Sequence, residues 1–364
     1  LPWPPDRFIY IPLYKNRKNM RLRVHPYDLR YRHTFAISRE VRTVQRTLIV
    51  ELHDGDVSGF GEATANAYYN TTIEGMIGHL ENLRHKIETF DLKEPGAFWE
   101  AMKDDFAGLP FPLAALDEAA HDLYARRQGK PLHQLWGLQA QALPLCNYTI
   151  GIAPPEEMLA KMKAMPWPVY KIKLGTDHDL EIIKMLRKHT DALFRVDANC
   201  AWTAGQTIAI APELKKLGVE FIEQPLPAED TEGMKAVFSH CALPIIADES
   251  CRAEADVAHC AGLFHGINIK LMKCGGITPA LRMISKARSL GLKVMVGCMT
   301  ESSVGIAAIG QLLPMLDYVD MDGAMLITND PATGVCIDYG QVHLPGTPGT
   351  GARLKSQDKV EIAS

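Results

Sequence analysis

The chain has 364 residues, 47% of them apolar and 23% charged, and its 39 Lys and Arg against 43 Asp and Glu leave a net charge of −4. This is the composition of a globular chain with a large core, which excludes a disordered or fibrous protein. A charge this close to balance argues against bulk binding to nucleic acid or an anionic membrane, and no apolar run approaches the roughly 20 residues of a membrane span.

The first elements are strands. Residues 19–31 and 43–64 are rich in β formers, and Asp54–Gly55 marks a hairpin turn inside the second run. Gly59-Phe60-Gly61 looks faintly like a nucleotide loop but lacks the third glycine and the following helix, so it reads as part of the hairpin. Helical spacing follows over 71–90, 95–107 and 112–127, and in the last of these Leu113, Leu116, Ala120 and Leu123 share a face. The first 137 residues thus read as α+β: a small sheet followed by helices.

After Pro144 the pattern changes. Short apolar runs at 145–152, 170–175, 193–199, 221–225, 245–250, 266–271, 293–297 and 318–323 alternate with amphipathic segments such as HDLEIIKMLRKHT and TPALRMISKARSLG. Strands and helices alternating in this way predict a closed parallel α/β barrel, with an open doubly wound sheet as the alternative. The barrel is favoured because polar residues sit at the C-terminal ends of many strands, not at one switch point. Turn-rich residues 331–364 lie beyond the last strand. The expected organisation is an N-terminal domain at 1–140, the barrel at 141–330, and a segment at 331–364 that returns to the first domain.

The strand ends carry the chemistry. Lys173, Asp197, Glu223, Asp248 and Lys270 follow one another at intervals of 22 to 26 residues, about one βα unit each. They therefore recur at one level of the barrel, at the end where such folds place catalysis. Asp197, Glu223 and Asp248 would converge, and three carboxylates without thiol or imidazole suit Mg²⁺. Taken singly, each reads equally well as a helix cap or an ion-pair partner. Lys171 and Lys173 are two apart on a strand and face one side. Two ammonium groups so close, beside a dication, are expected to lower each other's pKa, which suits a general base. Lys270 arrives from about the opposite wall, so the two sides of a bound carbon can each meet a lysine. Left to themselves, the lysines would simply neutralise the acids. Asp320 and Asp322 are again two apart on a late strand and so face one way; by themselves they also read as a strand end that caps the next helix.

Eight cysteines are scattered without a CxxC pair or zinc-finger spacing. This points to reduced thiols and a cytoplasmic setting. The sequence opens on Leu1 and not Met, so an upstream signal is left open.

VYKIKLG, FRVDAN, FIEQP, IIADES, INIKLMKCGG and YVDMDG, with AALDEAAHDLYARRQGKPLHQLWG upstream, together resemble the enolase superfamily, and most closely its dipeptide epimerases of the L-Ala-D/L-Glu type. The resemblance covers nearly the whole chain. It implies a modified TIM barrel of the (β/α)7β type behind an N-terminal α+β capping domain. It implies Mg²⁺ on Asp197, Glu223 and Asp248, binding a substrate carboxylate and stabilising an enediolate. Lys173 and Lys270 would be the acid/base pair on opposite faces, with Lys171 in electrostatic support. Asp320 and Asp322 would hold the ammonium of a dipeptide. Cys298, Met299 and Glu301 stand where the family has a Ser-Met-x-Glu-like element, and Cys298 replaces the expected hydroxyl. A lid containing Arg30, Arg32, Arg39 and Arg42 would meet the side chain of the C-terminal residue, with Arg39 and Arg32 as the contacts, although Arg39 is one position off. Such a lid favours an acidic residue, hence L-Ala-D/L-Glu from peptidoglycan salvage. The partner is then a small dipeptide, with no nucleic acid and no membrane, and self-association is common in the superfamily. A cycloisomerase, a dehydratase, an o-succinylbenzoate synthase-like lyase or a non-catalytic binding protein on the same fold are the alternatives.

Overall fold

The computed structural model describes residues 20–37 and 40–356. Three antiparallel strands open the chain: β1 (Arg21–Ile37), β2 (Glu40–Asp54) and β3 (Val57–Thr64), in the order β1-β2-β3. Four helices follow, α1 (Ile73–Asn82), α2 (Arg84–Thr89), α3 (Pro95–Met102) and α4 (Pro110–Arg127), then one turn of helix, α5 (Leu132–Leu135).

The predicted hairpin at Asp54–Gly55 is present. The strands before it are longer than expected, because β1 runs on to Ile37 and β2 starts at Glu40. That extension buries no continuous face, and Val41 and Val44 are exposed, so it has no apolar alternation to read. The register of β1 on β2 breaks between Arg30 and Phe35. The break frees residues 31–34 from β2, and Tyr31 bridges instead to Ile327, beyond the last barrel strand.

Helix α4 departs from its amphipathic reading. It is buried from Phe111 to Leu123 on nearly all sides, Asp117, Glu118, His121 and Asp122 included. The helix is sandwiched between the N-terminal sheet and the barrel, so its polar residues face protein groups and not water. Asp122 Oδ2 accepts the Phe60 N–H at 2.9 Å and Asp117 Oδ1 the Thr278 hydroxyl at 2.7 Å. Gly59 and Gly61 let β3 lie against α4: a Cβ on Gly61 would stand 2.1 Å from the Ala115 carbonyl oxygen, and one on Gly59 2.3 Å from that of Ala119. Close backbone approach, not phosphate binding, explains these two glycines.

The barrel strands are β4 (Tyr148–Ile150), β5 (Val169–Lys173), β6 (Leu193–Asp197), β7 (Val219–Glu223), β8 (Ile245–Ala247), β9 (Gly266–Ile269), β10 (Lys293–Gly297) and β11 (Tyr318–Asp320). They form one eight-stranded parallel sheet in chain order, and a parallel bridge from Cys146 to Val319 joins its two edges. The ring excludes the open-sheet alternative. Its outer helices are α6 (Pro155–Ala164), α7 (Asp179–Arg187), α8 (Ala204–Lys216), α9 (Thr231–His240), α10 (Asp256–Cys260), α11 (Leu271–Cys274), α12 (Ile277–Ser289) and α13 (Ser303–Gly310). One hydrophobic cluster fills the barrel and its helix layer, and a second lies between the N-terminal sheet and α1–α4.

After the barrel the chain makes short strand pairs, Ala332–Thr333 with Arg353–Leu354 and Cys336–Asp338 with Gln341–His343. It then runs along α4 and α5. Thr350 N–H donates to Asp122 Oδ1 at 2.7 Å, Gly349 N–H to the Lys130 carbonyl at 3.0 Å, and Leu132 N–H to the Gly349 carbonyl at 2.9 Å. All eight cysteines are free. Among the described residues no helix is long and apolar enough to cross a membrane.

Candidate active site

The side chains singled out at the strand ends converge at one mouth of the barrel. Asp197 and Glu223 are the last residues of β6 and β7, Asp248 follows β8 and Lys270 follows β9. Ligand oxygens of Asp197, Glu223 and Asp248 all lie within 4.8 Å of one another, and the three residues are buried. Lys171 and Lys173 face the same side of β5, as their spacing predicts: their ammonium groups stand 3.1 and 2.6 Å from Asp197 Oδ2. Lys171 also reaches Glu223 Oε2 at 2.8 Å and Asp320 Oδ2 at 2.7 Å. Lys270 comes from the other side and meets Asp248 Oδ2 at 2.8 Å.

The charges here are strongly coupled. Burial pushes the Asp197 carboxyl up, but Lys173 and Lys171 outweigh it and hold it at about 2. Burial and the Asp197 charge push Glu223 up to about 7. Asp248 lies well below the usual carboxylate range, because Lys270 and Lys273 overcome its burial. Of the Lys171–Lys173 pair expected to lower each other beside a dication, Lys171 stands above its ordinary value here. Burial disfavours the Lys171 and Lys270 ammonium groups, and Lys171 lowers Lys270 as well, yet the carboxylates around them prevail and hold both above the ordinary lysine value.

The donor set fits a hard cation. It offers three carboxylates, with no nitrogen or sulfur. Glu223 Oε2 is buried and makes no hydrogen bond, although the Lys171 ammonium is near.

Beside this centre lies a second acidic group. Ligand atoms of Cys298, Asp320 and Asp322 fall within 4.8 Å of one another. Asp320 Oδ1 accepts from the Asn147 amide at 2.8 Å, and Asp322 accepts the Thr149 N–H at 2.6 Å and its hydroxyl at 3.2 Å. Burial raises Asp320, but Lys171 overrides it. Burial and then Asp320 push Asp322 up to about 7, so this pocket lacks one positive charge. Burial, followed by Asp320, also raises the Cys298 thiol well above its usual value, which leaves it a poor nucleophile. Glu301 is buried, with Oε1 accepting the Met299 N–H at 2.7 Å.

The arginines of the lid disperse. Arg32 is exposed, donates to the Ile327 carbonyl at 3.3 Å, and lines a cleft with Thr149, the residue that holds Asp322. It therefore borders the Asp320–Asp322 side and not the far end. Arg42 pairs with Glu40 at 2.7 Å, and the Arg30 N–H bonds Asn329. Arg39 lies outside the described residues.

Four features escaped the sequence reading. Lys273 is buried and bonds Asp248 Oδ1 at 2.6 Å, the Asp248 carbonyl at 2.5 Å and the Cys251 carbonyl at 3.0 Å. Its signal was a lysine one helical turn after Lys270. Asn268, two before Lys270 on the same strand, donates to Glu223 Oε1 at 2.8 Å. Tyr31 ties the lid to the barrel through the Thr300 hydroxyl at 2.8 Å. Finally, the loop after β3 forms a second wall. Its Tyr69 is held at about 12 by burial, ahead of the charges of Lys273, Asp248 and Lys270 around it, and Asn66 touches the Met299 sulfur at 3.9 Å.

Comparison with known proteins agrees with this architecture. Residues 21–137 match the family described as mandelate racemase / muconate lactonizing enzyme, N-terminal domain, and residues 156–359 match the enolase C-terminal domain-like family. The L-Ala-D/L-amino acid epimerase of Maribacter sp. is 56% identical over 336 residues, spanning 92% of this chain and 99% of that protein. A protein of the same description from Flavobacterium johnsoniae is 54% identical over 335 residues, spanning 92% of this chain and all of that protein. The crystal structure of a dipeptide epimerase from Cytophaga hutchinsonii, complexed with Mg and the dipeptide D-Ala-L-Val, superposes with a TM-score of 0.87 at 25% identity, covering 94% of this chain and 96% of that one. With both halves matched, a relative more than half identical along almost its whole length and the same fold, the chain belongs to the enolase superfamily, among its dipeptide epimerases.

Proposed function

We propose that this protein is a Mg²⁺-dependent epimerase that inverts the α-carbon of the C-terminal residue of L-Ala-containing dipeptides. The observation that carries the reading is the placement of Lys173 and Lys270 on opposite sides of the acidic triad, with the Asp320–Asp322 pocket alongside. Asp197, Glu223 and Asp248 would hold the metal. When bound, Mg²⁺ supplies the charge that holds the substrate carboxylate and offsets the negative charge that grows as the α-proton leaves.

The chain's own groups do the rest. Asp320 and Asp322 bind the dipeptide ammonium, which provides the positive charge their pocket lacks. One of Lys173 and Lys270 takes the α-proton, and the other returns a proton to the opposite face. Lys171, fixed among Asp197, Glu223 and Asp320, keeps the acids apart and in place. A neutral or anionic substrate would have no use for Asp322, which favours this reading over a cycloisomerase or lyase on the same scaffold.

Both relatives above are described as L-Ala-D/L-amino acid epimerases. For this chain we take L-Ala-L-Glu and L-Ala-D-Glu as the first substrates to test, on the resemblance to epimerases of the L-Ala-D/L-Glu type, since Arg32 stands at the ammonium end and does not itself argue for an acidic second residue. Peptidoglycan turnover is the natural source of such dipeptides, and the eight free cysteines fit a cytoplasmic site of action. The deciding experiment is α-proton exchange in D₂O across a panel of L,L and L,D dipeptides with Mg²⁺. Exchange with inversion on L-Ala-Xaa supports the reading, and its absence on every dipeptide overturns it.

A further inference from the structure

Three glutamates meet where the N-terminal sheet rests on the barrel, and one of them, Glu301, borders the candidate site. Glu62 of β3, Glu118 of α4 and Glu301 are all buried. Their hydrogen bonds are unequal. Glu62 accepts the Ser302 N–H at 3.0 Å, the Ser302 hydroxyl at 2.5 Å, the Gly305 N–H at 3.0 Å and the Thr47 hydroxyl at 2.8 Å. Ser302 is the N-cap of α13, so this carboxylate sits on the first free N–H groups of that helix. Glu301 accepts only the Met299 N–H among the bonds seen, and its Oε2 lies where a Cβ on Gly305 would come within 2.1 Å. Glu118 Oε2 accepts the Glu62 N–H at 3.1 Å, and its Oε1 has no partner.

The titratable groups facing Glu301 are Glu62 from β3, Glu118 from α4, Lys270 from the end of β9 and Cys298 from its own loop. Three buried carboxyls that raise one another, with Lys270 acting on Glu301, do not all ionise together. The charge settles on the group with the most donors. We propose that Glu62 is a positioning residue for Glu301: it carries the negative charge of the cluster, pins the 298–305 loop to the N-terminal sheet, and leaves Glu301 neutral, a hydrogen-bond donor at the edge of the site. Burial followed by the Glu62 charge raises Glu301 well above the carboxylate range; burial raises Glu62 as well, but the bonds from Ser302, Thr47 and Gly305 pull it back. This inference rests on the epimerase reading only for its kinetic arm.

The test has two arms. In the first, Mg²⁺-loaded wild type carrying isotope-labelled glutamate is examined by infrared spectroscopy near neutral pH. A protonated-carboxyl band of glutamate is expected, part of which disappears in Glu301→Gln. In the second, the alkaline limb of kcat/KM is followed in Glu62→Gln. Removing a like charge lowers the Glu301 pKa, so its neutral form is lost earlier as pH rises, and the limb moves down by roughly one to three units. In a Glu301→Gln background, where the donor cannot ionise, Glu62→Gln should move nothing further. The inference is overturned if no glutamate band is lost in Glu301→Gln. It is equally overturned if the limb stays in place in Glu62→Gln, or moves by the same amount in the double variant, since either result would leave Glu62 a purely structural role. Should the wild type epimerise no dipeptide, the proposed function fails and the infrared arm still decides this one.

Discussion

Lys171→Met keeps the stem of the side chain and removes its charge. Lys171 is 1% exposed, and its ammonium lies 2.7 Å from Asp320, 2.8 Å from Glu223 and 3.1 Å from Asp197. Breaking a buried ion pair by deleting one partner costs about 3–5 kcal/mol, because the other charge is stranded. In a chain of this size that corresponds to a fall in Tm of about 4–6 °C. The pH sign is simple. The folded-state pKa of Lys171 stands above its ordinary 10.5, so its contribution is complete below that value and is lost only as pH rises through the folded one. A measurement near neutral pH therefore sees the whole effect. Mg²⁺ should then compensate. Both proteins gain stability from the ion, but the variant presents a more negative ligand set and binds it more tightly, and each tenfold in Kd closes the gap by about 1.4 kcal/mol at saturation. The assay is thermal unfolding of both proteins over a Mg²⁺ titration. The expected result is a wide gap in Tm without metal that narrows as Mg²⁺ is added. An unchanged metal-free Tm, or a gap that widens with Mg²⁺, would refute the charge accounting.

Lys173→Ala and Lys270→Ala should each abolish epimerisation while allowing α-proton exchange from one stereoisomer only, read by NMR in D₂O; a variant that still inverts at the wild-type rate contradicts the two-base scheme. N-acetylation of the dipeptide removes the ammonium that Asp320 and Asp322 would hold, and kcat/KM should fall about a hundredfold, the equivalent of about 2–3 kcal/mol; an acetylated substrate that turns over normally would empty that pocket of its role. Gly61→Ala places a Cβ 2.1 Å from the Ala115 carbonyl oxygen, so the urea midpoint should drop by the equivalent of about 1–3 kcal/mol, and an unaltered midpoint would show that β3 does not pack on α4 so closely.

The barrel and its strand-end residues were legible because two regularities coincide there. Side chains on a strand repeat every two residues, and βα units repeat at nearly constant length. Lys171, Lys173, Asp197, Glu223, Asp248 and Lys270 lie on both patterns. Asn268 lies on them as well, and Lys273 stands one helical turn past Lys270 in α11, but each serves another residue of the site rather than its open centre, and single positions do not announce whom they serve. The contacts between layers were out of reach. That α4 is buried all round, and that Asp117, Glu118 and Asp122 are sheltered in it, follows from what the sheet and barrel place on either side. The lid was read as a row of arginines, yet its position is set by the broken register between Arg30 and Phe35 and by the Tyr31–Thr300 bond. Neither leaves a trace in composition or period.

The bonds between residues 349–352 and the α4–α5 region bear on how this protein is made. Thr350 closes on Asp122 across 228 positions of sequence. During synthesis α4 leaves the ribosome long before its last hydrogen-bond partners exist, with Asp122 already committed to a buried place beneath Phe60. Contacts of such separation carry a large loop-closure cost and form late. The part of the molecule translated first is therefore sealed last, and until the ribosome has released those residues the nascent chain displays an unfinished edge to the chaperones around it.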